Sequence, residues 1–273
     1  MIEMAADWED YEEGRGLKRY EITIPLLLLI FIFFIIAWKF NWLVGLPVIG
    51  EILYPKAINV LIVGNDLSIQ QSLQQMQIGL PINYHVLSAN EIPNIISPDY
   101  LKKYDLVILT EYAGNNPGEL PQMFRSHLVK YLQGGGKLIL YGVAGSIDPE
   151  SPTTDGWKQE GLNIYIPVTC TSRPCQKETF SAADLIILIR QPEHRIVKEF
   201  GYSTNFSDSP IEITKVNPEN EEVFVIKDNL TRVVYPGVVE KSFGITGKTV
   251  YFSYHPSKHP VIFKNTISYL FGR

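Results

Sequence analysis

Cysteine is scarce in this 273-residue chain. Only Cys170 and Cys175 occur, five apart in TCTSRPC, so neither a disulfide framework nor a four-cysteine zinc site is available. A basic excess is also missing. Twenty-four Lys and Arg stand against 29 Asp and Glu, the formal net charge is −5, and no run of Lys and Arg stands out, so a nucleic-acid partner is not expected. Internal repeats and low-complexity tracts are absent, and 45 % hydrophobic residues exclude global disorder. The Gly134-Gly135-Gly136 run is no phosphate cradle, because such loops follow a strand and open a helix. This run precedes a strand pattern, so a helix C-cap with positive φ is its expected role. No complete set of catalytic residues is visible.

What the chain has is a long apolar run. Ile22 to Trp38 (ITIPLLLLIFIFFIIAW) carries no charge. Extended to Tyr20 and Trp42, it reaches the roughly 30 Å of a bilayer's hydrocarbon core. Tyr20, Trp38 and Trp42 sit where interfacial aromatics belong, and Lys39 can snorkel. A buried core helix rarely carries so many consecutive Leu, Ile and Phe. A cleaved signal peptide would end in small residues, whereas Lys39-Phe40-Asn41-Trp42 follows here. The expected organisation is therefore an acidic tail over 1–20, a transmembrane helix over 21–42, an apolar neck over 43–56 and an α/β domain over 57–273. The tail holds six acids in its first thirteen residues and reads as solvated, or as a docking peptide for a cytoplasmic partner.

Flanking charge sets the orientation. Arg15, Lys18 and Arg19 precede the span; Lys39 and Lys56 follow it. That bias places the N-terminus in the cytoplasm and the domain outside the cell membrane. A Cys170–Cys175 loop disulfide would suit an oxidising compartment. Asn205-Phe206-Ser207 and Asn229-Leu230-Thr231 have the form of N-glycosylation acceptors.

From Ala57 onward, strand and helix patterns alternate. Short apolar runs at Ile58–Val63, Asn83–Leu87, Leu106–Thr110 and Lys137–Tyr141 suit strands covered on both faces. Between them lie a helix from Ile69 capped by Ser68, a small helix near Pro98–Lys103, and an amphipathic helix over Pro121–Leu132. The order predicts a flavodoxin-like, doubly wound, mainly parallel α/β sheet with right-handed crossovers. A β-rich C-terminal half follows. A loop over Asp148–Trp157 leads to short strands at Asn163–Pro167, Leu185–Ile189, Ile211–Val216, Val223–Ile226, Arg232–Val239 and Lys248–Tyr254, then a closing helix over Pro260–Leu270.

Three passages carry a resemblance: LVKYLQGGGKLILYGVAGS (Leu128–Ser146), PEHRIVKEF (Pro192–Phe200) and GKTVYFSYHPSKHPVIFKNTISYLFG (Gly247–Gly272). Together they resemble the class I glutamine amidotransferase-like superfamily, including the branch similar to trehalose-utilisation proteins. The resemblance implies a turn Gly-x-Cys-x-Gly presenting a nucleophilic cysteine, and a His-Pro-Glu motif downstream. Here Gly142-Val143-Ala144-Gly145-Ser146 places Ala144 at the cysteine's position, and His255-Pro256-Ser257 replaces the orienting carboxylate with Ser257. A base without a nucleophile is no triad.

The expectation is therefore a degenerate, non-catalytic module, without cofactor or metal, whose partners are the lipid bilayer and a membrane protein. Its job would be recognition or assembly as an accessory subunit of a membrane complex. Asn65 and Asp66 after the first strand, Glu111, Tyr112 and Asn115 after the third, and Gly142 to Ser146 after the fourth are candidates to line a crevice at the C-terminal sheet edge. Two other readings remain. One is a membrane-anchored hydrolase or amidotransferase-like enzyme using remnant His255, with Ser146 as a candidate nucleophile. The other is a cytoplasmic-facing auxiliary subunit of a transporter or envelope assembly. His255 and His259, separated by prolines, are not expected to share a metal.

Overall fold

A computed structural model of the protein describes residues 24–33, 35–36, 56–92, 97–172, 175, 177–179, 185–200 and 210–273. The chain divides into two compact units, Met1–Lys56 and Ala57–Arg273.

In the first unit, residues 24–33 and 35–36 are helical. Their large apolar side chains are exposed, by 44 % at Ile30 and Ile36 and 66 % at Leu29 and Phe31. Among the described residues no helix is long and apolar enough to cross a membrane. The rest of the expected span, 21–23, 34 and 37–42, lies outside the described residues, as do the acidic tail and the neck up to residue 55.

The second unit is built on one large sheet. Strands β1 (Ile58–Val63), β2 (Ile82–Leu87), β3 (Leu106–Leu109), β4 (Lys137–Tyr141) and β14 (Gly247–Phe252) run parallel. Strands β9 (Leu185–Ile189), β12 (Glu221–Asp228) and β13 (Val234–Phe243) extend the sheet antiparallel. The eight strands stand in the order β2-β1-β3-β4-β14-β13-β12-β9. The mainly parallel α/β sheet expected from the alternating pattern is present, and from the β-rich half β9, β12, β13 and β14 join it while the other short strands form separate two-stranded pairs.

Side chains on the central strands alternate between two cores, as a sheet covered on both faces requires. Ile58, Val60 and Ile62 of β1 face one core, with Ile139 and Tyr141 of β4. That side is closed by α1 (Leu67–Met76) through Ile69, Leu73 and Met76, and by α3 (Pro260–Leu270) through Ile262, Phe263 and Ile267. Leu61 and Val63, with Leu138 and Leu140, face the other core, where Phe124, Leu128 and Leu132 of α2 (Gln122–Gln133) pack.

Several local expectations are corrected. The cap of α1 is Asp66, whose carboxylate accepts from the Ser68 and Ile69 amides. Asp148–Trp157 is not all loop: β5 (Ile147–Asp148) and β6 (Ser151–Asp155) form a small antiparallel pair. A 3-10 segment, Gly156–Ile164, takes up the start of the expected strand Asn163–Pro167, and β7 (Val168–Cys170) begins only after it. The run Ile211–Val216 is split. β10 (Pro210–Glu212) pairs with β8 (Lys177–Thr179), and β11 (Thr214–Val216) pairs with β7. In the glycine run, Gly135 takes the positive φ, +85°, after the cap Gly134.

Candidate functional site at the C-terminal sheet edge

Parallel strands bring their C-terminal ends to one edge, and the turns that follow β1, β3, β4 and β14 meet there. Between them lies a cavity of about 300 Å³, lined among others by Glu111, Tyr112, Tyr141, Gly142, Glu212 and His255. Gly64 and Gly142 make the close approach possible, with φ of +102° and +59°. A Cβ on Gly142 would strike the Glu111 carboxylate, and one on Gly64 would strike Thr110. Glu111 accepts from the Val143 amide at 3.3 Å through Oε1. Glu212, 1 % exposed, is fixed by its own backbone amide donating to the Ser253 carbonyl at 2.8 Å.

A buried network forms one wall. Asp66 uses Oδ1 to cap α1, while Oδ2 accepts from the Tyr141 hydroxyl and lies 2.8 Å from His255 Nε2. His255 Nδ1 lies 2.7 Å from Ser257 Oγ and 3.3 Å from the Ser257 amide, so it is the acceptor and Nε2 carries the proton given to Asp66. The imidazole also stands edge-on to Tyr141, with ring centroids 4.8 Å apart. Burial works against ionising Asp66, but the hydrogen bonds from His255 and Tyr141 outweigh it and lower its pKa to about 2. Burial, with the Asp66 charge beside it, pushes the Tyr141 phenol far above its usual range. The wall is thus a fixed carboxylate holding a neutral phenol and an oriented imidazole.

The turn after β4 offers no such group. Ala144 is fully buried in the α2-side core, and its carbonyl accepts from Trp157 Nε1 at 2.8 Å. Its φ is not among the positive values that mark a strained elbow; those fall on Gly142 and Gly145, at +59° and +72°. Ser146 is 5 % exposed and its amide donates to the Val143 carbonyl. Neither Ala144 nor Ser146 lines the cavity.

Of the other candidates, Glu111, Tyr112, Gly142 and His255 meet in the cavity, and Asp66 bonds to its wall. Asn65 instead accepts from the Gln70 side chain at 3.3 Å, and Asn115 does not reach the lining. His255 and His259 part company, since the His259 ring packs edge-on against Tyr254 and Phe200. Cys170 and Cys175 form a disulfide, with Cα atoms 5.1 Å apart. Asn229 is exposed in the turn between β12 and β13, while Asn205 lies outside the described residues. Tyr141 and Glu212 are cavity residues that the sequence expectation does not include. A polar residue ending the apolar run LILY, and a carboxylate flanked by isoleucines in IEI, were the available signals.

Fold and crevice together define a doubly wound α/β protein with a polar cavity at the C-terminal edge of its sheet. Solved structures share that fold. A cytoplasmic protein from Salmonella typhimurium is 14 % identical and aligns over 78 % of this chain and 98 % of its own, with a TM-score of 0.54. A β-galactosidase from Bacillus circulans sp. alkalophilus is 13 % identical, with a TM-score of 0.55 over 78 % of this chain but only 30 % of the enzyme. A putative GMP synthase subunit from Thermoplasma acidophilum shows a weaker likeness: it is 10 % identical over 80 % of this chain and 96 % of its own, and its TM-score of 0.46 is too low to assign a shared fold. No family model matches the chain, and no curated protein matches it in sequence.

Proposed function

We propose that this is a single-pass membrane protein whose α/β domain has the class I amidotransferase-like scaffold without its chemistry. It works in recognition or assembly, as an accessory subunit of a membrane protein complex. The observation that carries this reading is the bend after β4. Its central methyl group, Ala144, is sealed in the core and Ser146 beside it does not line the cavity, so the bend presents no nucleophile to the wall formed by Asp66, Tyr141 and His255. Such a wall is suited to holding a polar ligand or loop in fixed geometry. The uncharged run Ile22–Trp38 supports the anchor. The Cys170–Cys175 bond and the exposed sequon at Asn229 support a domain facing outside, with the N-terminus cytoplasmic.

The test is purification from native membrane in mild detergent, followed by identification of co-migrating chains. The reading expects a stoichiometric membrane-protein partner. A lone monomer that elutes with nothing bound contradicts it.

One observation favours a second reading. Asp66, His255 and Ser257 form a hydrogen-bonded series, and Ser257 lines the cavity. A hydrolase would use Ser257 as nucleophile and His255 as base. Labelling of Ser257 by a serine-directed fluorophosphonate, lost in His255→Ala, would favour it. Against it, Ser257 is only two residues from His255, and Nδ1 of that ring also accepts from the Ser257 amide at 3.3 Å as the local cap of the turn Pro256–Lys258.

A further inference from the structure

The N-terminal edge of the sheet, opposite the crevice, carries an unusual combination. The two most exposed large hydrophobic side chains of the described residues are Ile78, 94 % exposed, and Ile245, 101 % exposed. Topology places both on this edge. Ile78 lies between the end of α1 and the start of β2, and Ile245 at the tip of the hairpin joining β13 to β14. Both are held by tight turns. The Gly79 and Leu80 amides donate to the Met76 carbonyl, while Phe243 pairs with Gly247 across a tip whose Gly244 has a φ of +58°. Beside that tip is an apolar groove of about 700 Å³, lined by Leu132, Ile164, Tyr165 and Phe243, with Ile164 60 % exposed.

Cations share this edge. At the end of α3, which returns to the same edge, a cavity of about 410 Å³ is lined by Arg195, Lys198 and Arg273 against a single acid, Glu199. The exposed Lys264 ammonium stands beside Gly79, next to Ile78. The polypeptide also enters β1 at this edge, some twenty residues after the apolar run closes at Trp38.

A single exposed isoleucine is ordinary. Two in hydrogen-bonded turns on one edge, with Lys264 beside the first and a cluster of cations on the same edge of a protein whose net charge is −5, are not. Apolar tips on an edge that also carries Lys and Arg are the pattern of a surface that lies in a bilayer interface, with aliphatic groups at the acyl boundary and cations on phosphates. A protein partner would instead call for a continuous apolar centre with charge excluded from it.

We propose that the N-terminal sheet edge rests on an anionic phospholipid surface. Ile78 and Ile245 enter the acyl boundary, and Arg195, Lys198 and Lys264 meet headgroup phosphates. The inference rests on the membrane-anchored reading above. It would orient the C-terminal crevice away from the lipid, toward whatever approaches from solution.

The full chain is placed in nanodiscs of phosphatidylcholine with or without roughly one third phosphatidylglycerol. An environment-sensitive dye is attached to Ile78→Cys, Ile245→Cys or, at the opposite edge, Leu230→Cys, leaving the native disulfide closed. Iodide quenching at Ile78→Cys and Ile245→Cys should fall about threefold or more on going from detergent to anionic discs, and Leu230→Cys should not change. Adding Arg195→Glu and Lys198→Glu should restore most of the quenching. Equal quenching at all three sites in protein retained by the discs overturns this inference alone. Shielding that persists in detergent alongside a larger hydrodynamic size means that a second copy covers the edge, which also overturns it. Loss of the protein from the discs on alkaline washing removes the anchor reading and this one with it.

Discussion

Asp66 divides its carboxylate between two elements. One oxygen starts α1, and the other gathers Tyr141 from β4 and His255 from the segment after β14. The crevice is therefore stitched to the fold by one side chain. Gly142 does the complementary work by leaving room for Glu111. Gly142→Ala would introduce both a strained φ of +59° and a collision with the Glu111 carboxylate. Gly244→Ala would introduce only the strain, at a φ of +58°, because nothing lies within 4 Å. Urea unfolding should show Gly142→Ala losing at least about 1 kcal/mol more than Gly244→Ala. Equal losses would mean that Glu111 does not abut Gly142. At this scale legibility was uneven. His255 was readable because its motif is local. The cap lies two residues before the expected Ser68, because Asp66 and Ser68 are both good caps in NDLS and only the start of the helix decides between them. Tyr141 and Glu212 acquire their roles from contacts far away in sequence, which no local pattern encodes.

Elements that alternate on a two-sided sheet are the most readable part of a chain, because burial on both faces enforces a continuous apolar run. Strands β1 and β4 and helix α3 fall where the pattern puts them. The β-rich half was less readable. Its short strands pair with distant partners, as β10 does with β8, and the hairpin of β5 and β6 is built from Pro, Ser and Thr that otherwise signal loop. Two buried carboxylates tie elements together here. Asp66 joins α1 to β4, and Glu240 of β13 accepts from Lys248 of β14 and Tyr269 of α3, each at 2.8 Å, and meets His194 at 3.2 Å. Burial opposes the charge of Glu240, but its hydrogen bonds from His194, Lys248 and Tyr269 prevail and lower its pKa to about 2. Both groups are depressed from ordinary values of 3.8 and 4.5, so their stabilisation is complete above about pH 5 and is lost as pH falls toward 2. Each contributes on the order of 2–3 kcal/mol. The urea midpoint should fall between pH 5 and 2, and the fall should be shallower in Asp66→Asn and Glu240→Gln. An acid limb unchanged by both substitutions would contradict the network.

At the scale of the molecule, the α/β domain presents two unlike edges. The C-terminal edge holds a polar cavity with an engaged imidazole, and the N-terminal edge carries exposed isoleucines beside cations. The proposed membrane-anchored module would use such a division, with one end for the lipid and the other for recognition. The doubly wound sheet supplies it by gathering all parallel strand ends of one sense together. The central claim is that the C-terminal crevice holds and does not cut. The most direct measurement compares the native protein with His255→Ala, both folded by circular dichroism, in the amount of partner retained on detergent purification and in any hydrolytic turnover of the purified complex. The account predicts the same partner at comparable stoichiometry and no turnover that depends on His255. Turnover in the native complex that is abolished in His255→Ala, while the partner stays bound, would contradict it.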